Sequence, residues 1–324
     1  MTITDTLYRL ITEGLLPGVG SVLSFVPSIA ILIFVLTLLR ESGLIKGTAA
    51  YFIMGFSFSV PAILSCNNII DKYRKYLTSF LIPYMSCSAK LPIYMLIAST
   101  FFPAFPCAVI GVVYATGILM AIAISFSCKE RLIPQANANA QGPSKFSYHV
   151  LVKEVLTYTL GFIKKAFTVV LLASIVIWFL QNLGPNLALT SQIQDSLLAK
   201  LGQWLSPIFT PLGFGDWRAT SALITGLSAK EAVVSTLAII AGSGDYSSMS
   251  IMLHEIFTPL SAFSFMVFCL LYMPCISSLI AIKTITKSNA MSLLFLTGHT
   301  AVAWAVSFLI FHLIKVIIQC IGGV

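Results

Sequence analysis

A chain of 324 residues that is 58% hydrophobic and only 9% charged, with a mean hydropathy of +0.95, lies far outside the range of soluble domains. That composition excludes a soluble globular protein and points to an integral membrane protein. The formal net charge of +8 would suggest nucleic acid in a soluble chain, but here the basic residues stand at the ends of apolar segments, where positive-inside topology accounts for them without a nucleic-acid partner.

Charge-free runs cover Ser21 to Leu39, Gly47 to Ile70, Leu91 to Ser127, Ala166 to Gln194, Ile256 to Ile282 and Ser288 to His299, against roughly 20 apolar residues for one helical crossing. Frequent Gly, Ala, Ser and Thr permit close helix contact, and a bilayer offers no water to an open backbone, so the expected fold is all-α and polytopic. The chain opens on an amphipathic stretch, Asp5 to Leu16, expected at an interface, followed by a span. The run from Gly47 to Ile70 is bracketed by Arg40 and Lys46 before it and Lys72 to Lys75 after it, which prefer the same side, and Gly55, Pro61 and several serines including Ser59 interrupt it. A re-entrant gate hairpin that enters and leaves on the cytoplasmic side satisfies both facts. One helix near Leu77 to Phe102 and another near Cys107 to Ser127 follow, joined by an outer turn at 101–106.

The stretch from Cys128 to Lys165 carries Lys129, Arg131, Lys145, Lys153, Lys164 and Lys165 against Glu130 and Glu154, which places it in the cytoplasm of a cell-membrane protein. Its part from Pro134 to Ser144 has linker composition and divides the chain. Three domains result: a first repeat over 1–127, a linker over 128–145 and a second repeat over 146–324. The second half repeats the plan with opposite sidedness. It has an interfacial stretch, Phe146 to Phe162, a helix from about Ala166 to Leu180, and a polar outer region to about Asp216. An interrupted segment follows, Ala219 to Ala241, with Gly226, Lys230 and Glu231 near its middle; a helix from Phe257 to Ile282 and a last helix from about Met291 to Ile317 complete it. Inverted repeats with discontinuous helices are the signature of secondary transporters, whose substrate site lies where the broken elements meet.

One phrase occurs twice inside apolar segments, Tyr84-Met85-Ser86-Cys87 and Tyr272-Met273-Pro274-Cys275, each at the same distance after a phenylalanine (Phe80, Phe268) and before a leucine (Leu91, Leu279). A duplicated thiol and thioether inside a membrane suggests a metal path. Ionisable residues within apolar runs are costly and call for a reason; Lys90, Lys230 and Glu231 meet that criterion. Glu231 is a candidate oxygen ligand beside the softer sulfur of Cys87, Cys275, Met85 and Met273, a mixture that suits a transition-metal cation such as Fe(II) better than Mg(II) or Ca(II). The alternative is that Glu231 pairs with Lys90 or Lys230 and serves architecture. Met85 and Met273 read rather as gap-filling core, and Ser57, Ser59, Ser86 and Ser88 either line a polar path or bond across helices, with small-residue packing the simpler account. His299 and His312 read as structural, and His254-Glu255 as a solvated segment end. Of the seven cysteines, Cys66, Cys107, Cys128, Cys269 and Cys320 read as small packing residues. The chain holds no Gly-x-x-x-x-Gly-Lys-Ser/Thr loop, no His-Glu-x-x-His and no nucleophile elbow, so an enzyme is not expected.

With these segments placed, the chain resembles the membrane permease part, with its two Gate domains, of the ferrous iron transport protein B family. The resemblance is carried by Phe80 to Tyr94, by Gly226-Leu227-Ser228-Ala229-Lys230-Glu231 running on to Leu237, and by Phe257-Thr258-Pro259-Leu260-Ser261 running on to Tyr272-Met273-Pro274-Cys275. Val26-Pro27, Gly55-Phe56 and Val60-Pro61-Ala62-Ile63 also look like that family. It implies Fe(II) import across a plasma membrane, with Fe2+ as the substrate and no permanently bound cofactor. Against the family pattern, this sequence starts without the amino-terminal GTP-binding domain and is shorter between Arg40 and Gly55. Its first gate also holds Phe58 and Ser59 where a Cys and an Asn are usual. The expected partners are therefore the lipid bilayer, a separate GTP-binding protein or small accessory protein, and further copies of the chain. Two other outcomes stay open: a carrier of another divalent cation or of a small polar solute such as a nucleoside, and a membrane subunit that does not transport.

Overall fold

The computed structural model describes residues 49–127, 171–186, 188–190, 193–242, 246–272 and 275–321. The interfacial stretches expected over 5–16 and 146–162, the first span and the linker over 128–145 lie outside the described residues. Within them the backbone is helical, with one isolated antiparallel bridge between Leu183 and Leu189. Numbered in chain order, the helices are α1 Ala49–Ser57, α2 Ser59–Ser65, α3 Lys72–Leu81, α4 Leu91–Phe101 and α5 Pro106–Ser127. Then come α6 Leu171–Asn182, α7 Leu197–Leu205, α8 Trp217–Thr225, α9 Ala232–Ile240, α10 Tyr246–Ile256, α11 Pro259–Leu271, α12 Ile276–Thr286 and α13 Asn289–Ile321. Their starts follow local chemistry. Asp71 accepts from the Tyr73 and Arg74 amides, Asp216 from that of Arg218, and Ser196 from that of Ala199. Thr258 and Ser261 form a reciprocal capping box with Pro259 at the first helical turn, where a missing N–H costs nothing.

Four stretches among the described residues are long and apolar enough to cross a membrane, Lys72–Phe101, Pro106–Ser127, Pro259–Thr286 and Asn289–Cys320, and the chain is a multi-pass helical membrane protein. Two of the four are not continuous, contrary to the helices expected near 77–102 and 257–282. The chain leaves α3 through a short 3-10 turn, Ile82–Tyr84, is non-helical at Met85 to Cys87, and turns again at Ser88–Lys90 before α4. The second copy of the phrase likewise separates α11 from α12. Pro83 explains the first break, since it can donate no backbone hydrogen bond and clashes with the preceding turn; Pro274 lies outside the described residues. The region expected to be polar and outer before Asp216 also contains α7 and a 3-10 turn, Ser206–Leu212, and α10 was not foreseen.

The chain forms two compact units, each drawing on both halves of the sequence. The first contains, of the described residues, 49–88, 117–127, 171–172 and 276–295. Its core joins Met54, Ala62, Ile63, Cys66 and Ile82 to Ala281, Ile282, Ile285 and Phe295, so α2 lies against α12. The ring of Phe80 meets that of Phe295 edge-on at 5.0 Å. The second unit contains 89–116, 173–242, 246–272, 275 and 296–321 of the described residues. There α11 is buried almost all round from Ser261 to Leu271 and packs against α4, which also receives α9. Phe209, Phe214, Phe265 and Phe268 close an aromatic cluster with centroids 5.3–5.7 Å apart. Gly202 brings α7 onto α8, because any Cβ there would run into the Ser221 side chain and the Trp217 carbonyl.

These environments separate two isoleucines of α1 and α2. Replacing the fully buried Ile63 by Ala should destabilise the protein by about 2–5 kcal/mol, read as a lower unfolding temperature in detergent, whereas Ile53→Ala, at a side chain 45% exposed, should leave the midpoint within a degree or so.

Candidate cation site at the helix breaks

Helices that stop inside a bilayer leave carbonyls without partners, and those groups decide what the breaks attract. In the first unit α1 ends at Ser57 and Phe58 is extended, with φ −143° and ψ 115°. The Ser57 carbonyl accepts from the Ser88 hydroxyl at 2.9 Å. Gly55 lies against the repeated phrase: a Cβ there would stand 3.3 Å from Ile82 Cγ2 and 3.3 Å from Met85 Cβ. Tyr84, Met85 and Ser86 are buried, Cys87 is half-buried and Ser88 exposed. Pro61 falls in the first turn of α2, buried, with its carbonyl accepting from Ser65 at 2.8 Å, and Ser59 opens that helix half-buried.

The second unit brings three backbone breaks together. Residues 226–231 are non-helical between α8 and α9, as the interrupted segment over 219–241 leads one to expect. Tyr272, just past the end of α11, stacks on Phe268 at 5.2 Å, and its hydroxyl reaches the Leu223 carbonyl in the last turn of α8 through a long contact of 3.4 Å. Gly226 makes this approach possible, since a Cβ there would come within 2.5 Å of both the Tyr272 hydroxyl oxygen and Val233 Cγ2. Lys90, leading into α4, is 3% exposed and donates to the Leu270 carbonyl in the last turn of α11 at 2.6 Å. Lys230, also 3% exposed, holds its ammonium 3.1 Å over the centre of the Tyr272 ring. Cys275 is half-buried directly before α12; Met273 lies outside the described residues. Of the described cysteines, none is in a disulfide.

Both cations are thus held by features that favour any cation: the negative end of a helix dipole and the face of an aromatic ring. Glu231 stands half-buried at the N-cap of α9, an end that suits a carboxylate. Among the described residues no ion pair joins it to Lys90 or Lys230. Hydroxyls that the sequence reading passed over complete the break. Thr225 and Thr236 share a hydrogen bond of 2.8 Å, Ser228 donates to the Thr225 carbonyl at 2.7 Å, and Gln181 reaches Thr236 at 3.4 Å. The signal available was their position, two of them flanking Gly226 and one a turn into α9. At one end of α8 Arg218 binds both carboxylate oxygens of Asp216 at 3.1 and 3.2 Å and Glu255 at 2.9 Å, so Glu255 ties α10 to α8 as well as facing solvent. Next to it the His254 ring lies 4.7 Å from that of Phe101. Among the described residues no three His, Cys, Asp or Glu side chains gather into a metal cluster.

Broken helices, buried ammonium groups and ends rich in carbonyls mark a helical membrane protein with places that favour cations, and the Gate family model, described as nucleoside recognition, matches residues 163–289. Across nearly its whole length the chain is homologous to the ferrous iron transport protein B family. It is 33% identical over 95% of its length to the Fe(2+) transporter FeoB of Staphylococcus aureus, covering 49% of that protein. The Fe(2+) transporter FeoB of Methanocaldococcus jannaschii is 35% identical over 85% of the chain, which covers 45% of that protein. A Fe(2+) transport protein A/Fe(2+) transporter FeoB fusion protein of Porphyromonas gingivalis is 31% identical over 94% of the chain, which covers 44% of it. The chain therefore spans about half the length of the curated relatives it matches. No solved structure matches it.

Gly226→Ala should cost about 1–3 kcal/mol of stability through overpacking. Adding Tyr272→Phe, which removes the hydroxyl in the way but keeps the ring under Lys230, should recover part of the loss. A double-mutant cycle of unfolding midpoints measures the coupling, which should be favourable and larger than about 0.5 kcal/mol.

Proposed function

We propose that this chain carries ferrous iron across the cell membrane along the helix breaks. The observation that carries the reading is the homology, over 95% of the chain, to proteins that are Fe(2+) transporters by name. The chemistry of the second unit agrees with it. Helix C-terminal ends and a buried aromatic face favour cations, Glu231 adds an oxygen ligand, and Cys275 adds sulfur that suits Fe(II) over harder ions. Cys87 offers the same ligand type in the first unit, with Ser86 and Ser88 beside it. Met85 packs on the Gly55 backbone and serves the gate's shape rather than the ion.

The alternating-access architecture of inverted repeats fits the packing, which is reciprocal. The gate helix of the first half, α2, lies on α12 of the second, and the gate helix of the second, α9, lies on α4 of the first. Each gate glycine, Gly55 or Gly226, abuts the Tyr-Met phrase of its own half, and each phrase pairs its tyrosine with the phenylalanine four residues earlier. In this reading Gly55 to Pro61 and Gly226 to Glu231 are the moving gates, the basic linker over 128–165 is cytoplasmic, and the two repeats occupy 1–127 and 146–324. The chain acts as a permease rather than an enzyme. The fusion in the Porphyromonas gingivalis relative supports a small accessory protein as a partner, and a GTP-binding protein and further copies of the chain are the other partners this reading calls for. A second reading, transport of a nucleoside-like solute, draws on the Gate family's description and on the hydroxyl and amide groups of Thr225, Thr236 and Gln181.

Uptake of radiolabelled iron, kept ferrous with ascorbate, into proteoliposomes separates these readings. Ferrous flux should be seen with the unaltered chain and fall at least about tenfold in Cys275→Ser and in Glu231→Gln, since even residues that only support a ligand cost that much when lost. Uptake of a labelled nucleoside with no uptake of iron would replace the first reading by the second.

A further inference from the structure

The second unit holds a cation already, and it is part of the chain. Lys230 belongs to the non-helical residues 226–231 and directly precedes Glu231. Its ammonium is buried and seated on the ring of Tyr272 at 3.1 Å, three residues before Cys275. A buried ammonium is costly to desolvate unless it is compensated, and an aromatic face is one source of that compensation when water is excluded. Tyr272 is itself fixed from the other side, by Phe268 against its ring and by the Leu223 carbonyl at its hydroxyl. The seat is therefore a rigid feature for holding positive charge, at a break whose exposed helix ends also hold positive charge, as Lys90 on the Leu270 carbonyl demonstrates.

Two positive charges cannot share such a place cheaply. A unit charge and a divalent cation at a site of low effective dielectric repel far more strongly than they would in water. We infer that Lys230 is the tethered competitor of the transported divalent cation: its ammonium occupies the Tyr272 seat when the break is empty, and must leave that seat when a cation reaches Glu231 and Cys275. This rests on reading the break as the cation's path, and deepens it by assigning the regulation of that site. The lysine keeps the acid from trapping its ion, since a cation that arrives must spend part of its binding energy moving the ammonium, and the returning ammonium assists release. Only differential binding to the two states can drive such an exchange, and the ring supplies it.

The competitor role has a signature that a merely structural lysine lacks, because removing a competitor tightens binding. Equilibrium binding of Fe(II), kept reduced with ascorbate, is measured on the detergent-solubilised full chain, with unfolding midpoints recorded alongside. Lys230→Met should bind on the order of tenfold more tightly than the unaltered chain, and Lys230→Arg, which keeps a charge able to lie on the ring, should bind within about twofold of it. Lys230→Gln serves the same purpose as the methionine should that variant not fold. Binding that is unchanged or weaker in the neutral variants overturns the inference, as does the absence of Fe(II) binding in every variant. A chain that binds iron more tightly without Lys230 yet moves none into vesicles would uphold the competitor and count against transport alone.

Discussion

A helix that ends in a medium without water leaves its last carbonyls exposed to nothing, and each such group costs several kcal/mol unless the protein itself supplies a donor. This chain breaks its helices repeatedly, and the described breaks find such donors. The Ser57 carbonyl receives the Ser88 hydroxyl, the Leu270 carbonyl the Lys90 ammonium, and the Leu223 carbonyl the Tyr272 hydroxyl. Ser88, Lys90 and Tyr272 all belong to the two Tyr-Met phrases or the residues just after the first. The phrases are thus the places where interrupted backbone is made tolerable, and the rest of the packing is arranged around them.

The duplication does not extend to charge. In the first unit the break at Phe58 is closed by a hydroxyl and by aromatic and aliphatic side chains, whereas both buried lysines of the described residues and Glu231 fall in the second unit. Phe58 itself packs against the core of the first unit, in a position where a polar residue would have been exposed to Met54, Ile63 and their neighbours. Among the described residues the buried charge therefore gathers in one unit, although Lys90 and Lys230 come from different halves of the sequence.

Composition and segment ends made the helical membrane class, the turn between α4 and α5, and the interruption at Gly226 legible in the sequence, because each follows from local chemistry: apolar length, Phe-Pro pairs, and a glycine followed by charges. The repeated phrase was legible as a repeat but not as a break. Tyr, Met, Cys and Leu are all at home in a helix, and a proline just before the first copy and within the second is tolerated in membrane helices often enough to leave the matter open. The partners of Lys90 and Lys230 were beyond reach for a different reason. A carbonyl 180 residues away and the face of a ring leave no mark on the sequence, while a carboxylate such as Glu231 does, so pattern alone favours the ion pair. The hydroxyls of Thr225 and Thr236 were hidden by their ordinariness in a membrane helix, where such residues most often bond to their own backbone.

The bond between Lys90 and Leu270 also has a consequence for how the chain is made. Synthesis at about 5–20 residues per second separates the emergence of these two residues, 180 positions apart, by roughly 10 to 40 s. Through that interval the beginning of α4 enters the membrane with a charged group whose eventual partner has not yet been translated. This bond of the lysine therefore forms only once α11 has followed α4 into the bilayer. The bond thus ties an early helix to a late one and closes from the C-terminal side.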